Sequence, residues 1–205
     1  MDSKNLAVAG LLVLAGVVGR FAFLHVPNFQ PTAAVALFAG FYFASRRQAV
    51  LIPVAVLALS NLWLSGYETW GVMAVVYAAF IVPVGLGRLL ANREREQGAG
   101  TGTGSGSGSG AGAGRYFAKW AVCLIAPSLV FFATTNFAVW LFDGRYLYTL
   151  AGLTECYVSA IPFYGYTLAG DLIFVPVLFG AWFACRAGMQ SLRTLDVARY
   201  PLDPA

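Results

Sequence analysis

Apolar residues run through this chain in long stretches, broken by short polar punctuation. No Asp, Glu, Lys or Arg occurs within residues 5–19, 21–45, 48–67, 69–87, 120–142 or 172–185. A helix of about 20 apolar residues crosses the hydrocarbon core of a bilayer, so this pattern predicts transmembrane helices. They are expected over about 6–26, stopped by Pro27, and then over about 32–45, 48–64, 69–90, 116–142 and 167–186. The ten-residue alternating strands of a membrane barrel are absent.

Between the fifth and sixth of these, Leu150, Leu153, Tyr157, Val158 and Ile161 recur at helical spacing, with Glu155 and Ser159 opposite. The stretch 150–161 makes only about 18 Å of helix, and Pro162 follows. A short amphipathic helix at the membrane interface is expected there. The fold class is therefore an all-α membrane protein, with six transmembrane helices plus a short interfacial helix between helices 5 and 6. One integral membrane domain is expected, made of helices 1–4 in 1–90 and helices 5–6 in 116–186. A flexible Gly/Ser-rich linker fills 91–115, and a polar tail fills 187–205. The linker cannot bury apolar surface, and no Lys-Ser/Thr follows its glycines as a phosphate loop requires.

Composition narrows the class further. At 59% hydrophobic and 11% charged residues, against about 25% charged in soluble domains, no room is left for a large soluble catalytic domain. Net charge is +4, yet the basic residues sit at helix ends rather than on one face, which argues against a nucleic-acid partner. The positive-inside rule explains their placement. With six spans and a cytoplasmic N-terminus, only Arg20 and Arg145 of the 13 Lys and Arg fall outside the cytoplasm. A seventh span at 150–161 would move Arg186, Arg193 and Arg199 to the outer side. Both termini are thus expected in the cytoplasm, with the chain multi-pass in the plasma membrane. No small-x-small site precedes Arg20, so the first helix reads as uncleaved. Cys123, Cys156 and Cys185 lack metal or redox spacing and are expected as small buried apolar groups.

The remaining polar chemistry gathers at the outer ends of the helices. It comprises Arg20, His25, Asn28, Gln30, Asn61, Glu68, Thr134, Thr135, Asn136, Glu155 and Asp171, with many aromatics on the same side. These aromatics are Phe29, Trp63, Tyr67, Trp70, Trp140, Tyr146, Tyr148, Tyr157, Phe163, Tyr164 and Tyr166, and an interfacial belt accounts for about half of them. It does not account for charges inside the membrane. Arg20 lies about 10 Å below the outer end of helix 1, and Asp171 about 6 Å into helix 6. Alone in lipid each would cost several kcal/mol, so each should face the bundle interior and find a partner. An Arg20–Asp171 pair is expected, with Glu155 as competitor. It would act either as a lock between helices 1 and 6 or as the charged wall of an outward-facing pocket. Helix 2 is short, so the loop 27–31 should sit below the outer surface, where irregular backbone lines a cavity.

The candidate substrate-binding residues are Arg20, His25, Asn28, Phe29, Asn61, Thr135, Asn136, Trp140, Glu155, Tyr157, Tyr164 and Asp171. Charges would set the polarity of the pocket, the Asn side chains would hydrogen-bond, and Trp140, Tyr157 and Tyr164 would stack or cap. A single histidine, no Gly-x-Ser-x-Gly elbow and no paired carboxylates argue against an enzyme or a metal site. No cofactor is expected.

Several strings carry a resemblance. Pro27-Asn28-Phe29-Gln30-Pro31 with Ala34-Val35-Ala36-Leu37-Phe38-Ala39-Gly40, Thr135-Asn136-Phe137-Ala138-Val139-Trp140-Leu141 and Thr167-Leu168-Ala169-Gly170-Asp171 resemble a family of bacterial membrane proteins described as transport proteins. The layout is similar to the S components of energy-coupling factor transporters, six-helix proteins that capture vitamins at their outer side. That resemblance implies a transmembrane coupling protein with ATPase subunits as partner. The opening Met1-Asp2-Ser3 lacks the Met-His start of cobalt and nickel relatives, so metal uptake is not implied. The expected function is capture of a small organic solute by a non-enzymatic, S-component-like membrane transport protein, with the bilayer and the solute as partners. The alternative is a structural or assembly subunit of a membrane complex with no ligand.

Overall fold

A computed structural model describes residues 2–64, 67–99 and 110–199. Seven helices follow one another: α1 (Ser3–Ala22), α2 (Thr32–Tyr42), α3 (Arg46–Ser60), α4 (Trp70–Ala79), α5 (Ile81–Ala99), α6 (Gly110–Phe142) and α7 (Leu150–Arg199). No strand occurs among the described residues. Four stretches are long and apolar enough to cross a membrane: Ser3–Ala22, Trp70–Asn92, Ala118–Phe142 and Leu150–Ser191. Thr32–Tyr42 is apolar but shorter.

The core is built around α2. Nine of its 11 residues are buried, because it is apolar on every side and packs against α5, α3, α7 and α1 at once. Two glycines set its distance from α5. A Cβ at Gly40 would stand 2.0 Å from the Val84 carbonyl oxygen, and one at Gly87 would stand 1.9 Å from that of Leu37. The two backbones therefore touch, the small-residue mode of helix association in membranes. Against α7 the contact is aromatic. Trp182 meets Tyr42 and Phe38 at ring-centroid distances of 5.0 and 5.9 Å, and Phe179 meets Phe41 at 5.1 Å. Arg88 of α5 donates to the carbonyls of Phe43 and Ala44, satisfying acceptors that the end of α2 leaves open.

The prolines act in two ways. The expected fourth helix is interrupted at Phe80, between α4 and α5. Pro83 lacks the N–H that would bond the Ala79 carbonyl, and the ladder breaks there. Pro162, in contrast, does not end a helix. The expected interfacial helix and sixth span are one continuous α7, with Pro162 and Pro176 inside it. One lost hydrogen bond costs less than exposing the unpaired backbone of a loop among apolar surroundings. Helix α1 stops at Ala22, about a turn before Pro27, which disfavours helical backbone at Val26. Residues 91–99 prolong α5 and 110–115 open α6, so only 100–109 of the expected linker lie outside the described residues. Residues 187–199 of the expected tail continue α7. Cys123 and Cys156 are buried as expected, while Cys185 is exposed on α7.

Candidate functional site

The loop between α1 and α2 builds the site. Asn28 takes a left-handed backbone conformation at φ 60°, which Asn tolerates better than most residues, and this turns the chain back into the bundle. Two glycines let the loop settle between α1 and α7. Pro31 lies against Gly19, where a Cβ would meet its Cγ at 2.4 Å, and the Gln30 backbone lies against Gly170. Phe29 is held between Phe23 and Phe174, at centroid distances of 4.9 and 5.2 Å. Gly19 precedes Arg20 and Gly170 precedes Asp171, so the wedge enters beside the two charges. The expected Arg20–Asp171 ion pair is not formed, and Glu155 does not replace Asp171 as partner: it is exposed on α7. Among the described residues the ion pairs are those of Arg145 with Glu68 and Asp143.

Two hollows adjoin the wedge. The larger has a volume of about 260 Å³. Arg20, Asn28, Gln30 and Tyr67 line one part of it, and Thr135, Asn136, Tyr164 and Thr167 another. Val72, Val76, Phe131, Phe132, Val139, Ala160 and Phe163 supply the apolar wall. The smaller hollow measures about 20 Å³, room for about one water. It shares Asn28, Gln30, Phe131 and Thr167 with the larger one and adds Ser128 and Asp171.

The charges stand unsatisfied there. Nε and Nη1 of Arg20 are buried without a hydrogen-bond partner, as are Oδ2 of Asp171 and Oγ1 of Thr32 at the head of α2. Groups of this kind are almost always bonded when buried, so a cluster of three at one end of the bundle marks a place built for something else. Tyr67 sits beside Arg20. Burial raises its phenol above the ordinary range, while the Arg20 charge and bonds from Asn61 and Arg20 pull the other way. Thr135 and Asn136 donate to the Phe131 and Phe132 carbonyls at 2.7 Å each, which orients both side chains on α6. The loop bearing Tyr67 is tied down by Glu68, whose carboxylate lies 3.3 Å from Arg145.

The chain belongs to the family of unknown function DUF6580. The match covers residues 1–192, and so every residue of both hollows. No curated protein and no solved structure matches the chain.

Of the residues expected to bind a solute, the larger hollow brings together Arg20, Asn28, Thr135, Asn136 and Tyr164. Asp171 lines the smaller one. The others lie elsewhere. His25 is exposed in the loop after α1, because that helix ends early. Phe29 is the packed side of the wedge. The Asn61 amide donates to the Tyr77 hydroxyl at 3.3 Å. Trp140 donates to the Leu147 carbonyl and rests on Tyr148, closing the α6–α7 turn. Tyr157 donates to the Ala133 carbonyl at 2.6 Å, fastening α7 to α6. Gln30 and Tyr67 line the hollow beside Arg20, and their polarity within an apolar stretch was the signal for them. Phe131, Phe132 and Thr167 carried no such signal, since an aromatic or threonine in a membrane helix is ordinary.

Proposed function

We propose that this chain is a multi-pass plasma-membrane protein that captures a small organic solute in the 260 Å³ hollow, as the binding component of an uptake system. The observation that carries this reading is that Nε and Nη1 of Arg20 are buried without a hydrogen-bond partner at the wall of that hollow. Had the polar groups served only to lock helices, Arg20 and Asp171 would have bonded each other, and they do not. Six crossings suit the chain, made by α1, α2, α3, α4 with the first part of α5, α6 and α7. The short α2 is shielded by its neighbours. The 42 residues of Leu150–Ser191 reach about 63 Å, so residues 150–161 extend beyond a core of about 30 Å.

Charge favours one orientation. Arg88 bonds the turn that precedes Arg46 and Arg47, and Trp182, one turn from Arg186, rests on Tyr42. These basic residues share one end of the bundle, with Arg20 and Arg145 towards the other. By the positive-inside rule the basic end is cytoplasmic, and the hollow then faces outward. Nothing in the sequence resembles a nucleotide loop, so uptake would draw on a coupling partner with ATPase subunits, an ion gradient or the gradient of the solute itself.

The test is retention of small molecules. Purified protein is mixed with a bacterial small-molecule extract, desalted, and the retained species are identified by mass spectrometry. A discrete species is expected, and it should be absent from the Ala160→Phe variant, whose larger side chain fills the hollow. Retention of nothing, or equal retention by both proteins, overturns the proposal.

A further inference from the structure

We infer that the solute is a small organic anion, a carboxylate with an apolar body, whose charged end is taken by Arg20. This rests on reading the larger hollow as a solute pocket, and it adds the class of solute. Among the described residues Arg20 is the one charged side chain lining that hollow. Two of its three guanidinium nitrogens are buried and unbonded, and it makes no ion pair among the described residues. Its remaining contact is a bond to the Tyr67 hydroxyl, and a half-buried cation without a counter-charge is an unfavourable arrangement in a low-dielectric interior. A carboxylate is the group whose two oxygens meet a guanidinium fork directly, with charge-assisted bonds.

The neighbours of Arg20 agree with this chemistry. Tyr67 and Asn136 can donate to an oxyanion, as can the side-chain amides of Asn28 and Gln30. None of the other lining residues brings an acidic group. The rest of the wall is largely aromatic and aliphatic, with Phe132, Phe163 and Val139 among its members. An inorganic anion would leave that surface against empty space, whereas an organic body would cover it. Asp171 lies across the wedge in the smaller hollow, so it does not neutralise Arg20 and does not line the space the solute would fill.

Three probes of nearly equal shape separate the charge types. Binding of benzoate, benzamide and benzylamine to detergent-solubilised full-length protein is followed by thermal shift and calorimetry at fixed ionic strength. Benzoate should bind about ten- to a hundredfold more tightly than benzamide, the usual range for a hydrogen bond to a charged group. Arg20→Met should remove that advantage, Arg20→Lys should restore part of it, and Asp171→Asn should leave it in place. If Arg20→Met proves unfolded, Arg20→Gln serves the same comparison. Benzoate binding that is unchanged without the guanidinium overturns the inference, and so does binding of none of the three. Benzamide or benzylamine bound in preference, and lost in Ala160→Phe, overturns the anion class while leaving the solute pocket standing. Equal binding of the three by both wild type and Ala160→Phe overturns both.

Discussion

The two ends of α2 are opposites. At its C-terminal end Gly40 and Gly87 bring two backbones into contact, aromatic rings of α2 and α7 interlock, and Arg88 satisfies the open carbonyls. At its N-terminal end a loop is wedged among helices, two hollows open beside it, and Arg20, Thr32 and Asp171 hold buried polar atoms without partners. At the packed end Trp182 Nε1 is the one such atom among the described residues. The same short helix thus anchors a dry core and borders a polar recess. The contrast argues that the unsatisfied charges are not a general looseness of the chain, because packing is tight about a helix length away. Stability is concentrated at one end, and unspent interaction capacity at the other, the usual division between a scaffold and a binding site.

The largest effect should come from breaking the packed end. Gly40→Ala puts a methyl into the Val84 carbonyl, and neither backbone can yield without separating α2 from α5. The cost should reach the upper part of the about 1–3 kcal/mol range for overpacking, read as a lowered melting temperature in detergent. Gly85→Ala is the control, since nothing lies within 4 Å of its Cβ position, and it should be neutral or slightly stabilising in the helix.

The hollow end should respond with the opposite sign. Arg20→Met removes a half-buried charge that has no counter-charge and two buried nitrogens without partners, so it should raise thermal stability by about 1–3 kcal/mol, the penalty of an unsatisfied buried polar group, while abolishing benzoate binding. A structural lock would lose stability instead. Asp171→Asn should stabilise by a smaller amount, because the amide keeps the shape and a need for partners. Unfolding scans of both variants beside wild type decide the matter.

Much of this division was written in the sequence, and the part that was not has a physical reason. Charge-free runs announced the apolar helices, and charges within them announced Arg20 and Asp171, because lipid makes such residues conspicuous. The short second helix, flanked by Pro27 and Pro31, announced a loop drawn into the bundle. What periodicity did not reveal was that Gly19 and Gly170 admit the loop between the two charges and so keep them apart. That depends on contacts between segments some 140 residues apart in the chain. Pro162 misled for a related reason. Its local effect is to break a helix, and whether the helix breaks depends on what surrounds the freed carbonyl. His25, Trp140 and Tyr157 shared an end of the bundle with the hollow, but position along a helix says nothing of which groups a side chain bonds.

The smallest effect concerns the polar loops above the hollow. Glu68 and Arg145 meet there in the open, beside the buried Asp143 carboxylate, and an exposed salt bridge is worth little. Hydrogen bonding to Asp143 raises the Glu68 carboxyl above its ordinary 4.5, with Arg145 opposing. The folded state therefore holds a proton on Glu68 more readily than the unfolded chain does. Its contribution to stability is fully present below pH 4.5 and is lost as pH rises through the higher folded value. Melting temperature should accordingly fall slightly as pH rises through that window, and Glu68→Gln should flatten this slope without changing benzoate binding. A change in binding instead would mean that the loop carrying Tyr67 shifts with the titration, joining the exposed cluster to the site it overhangs.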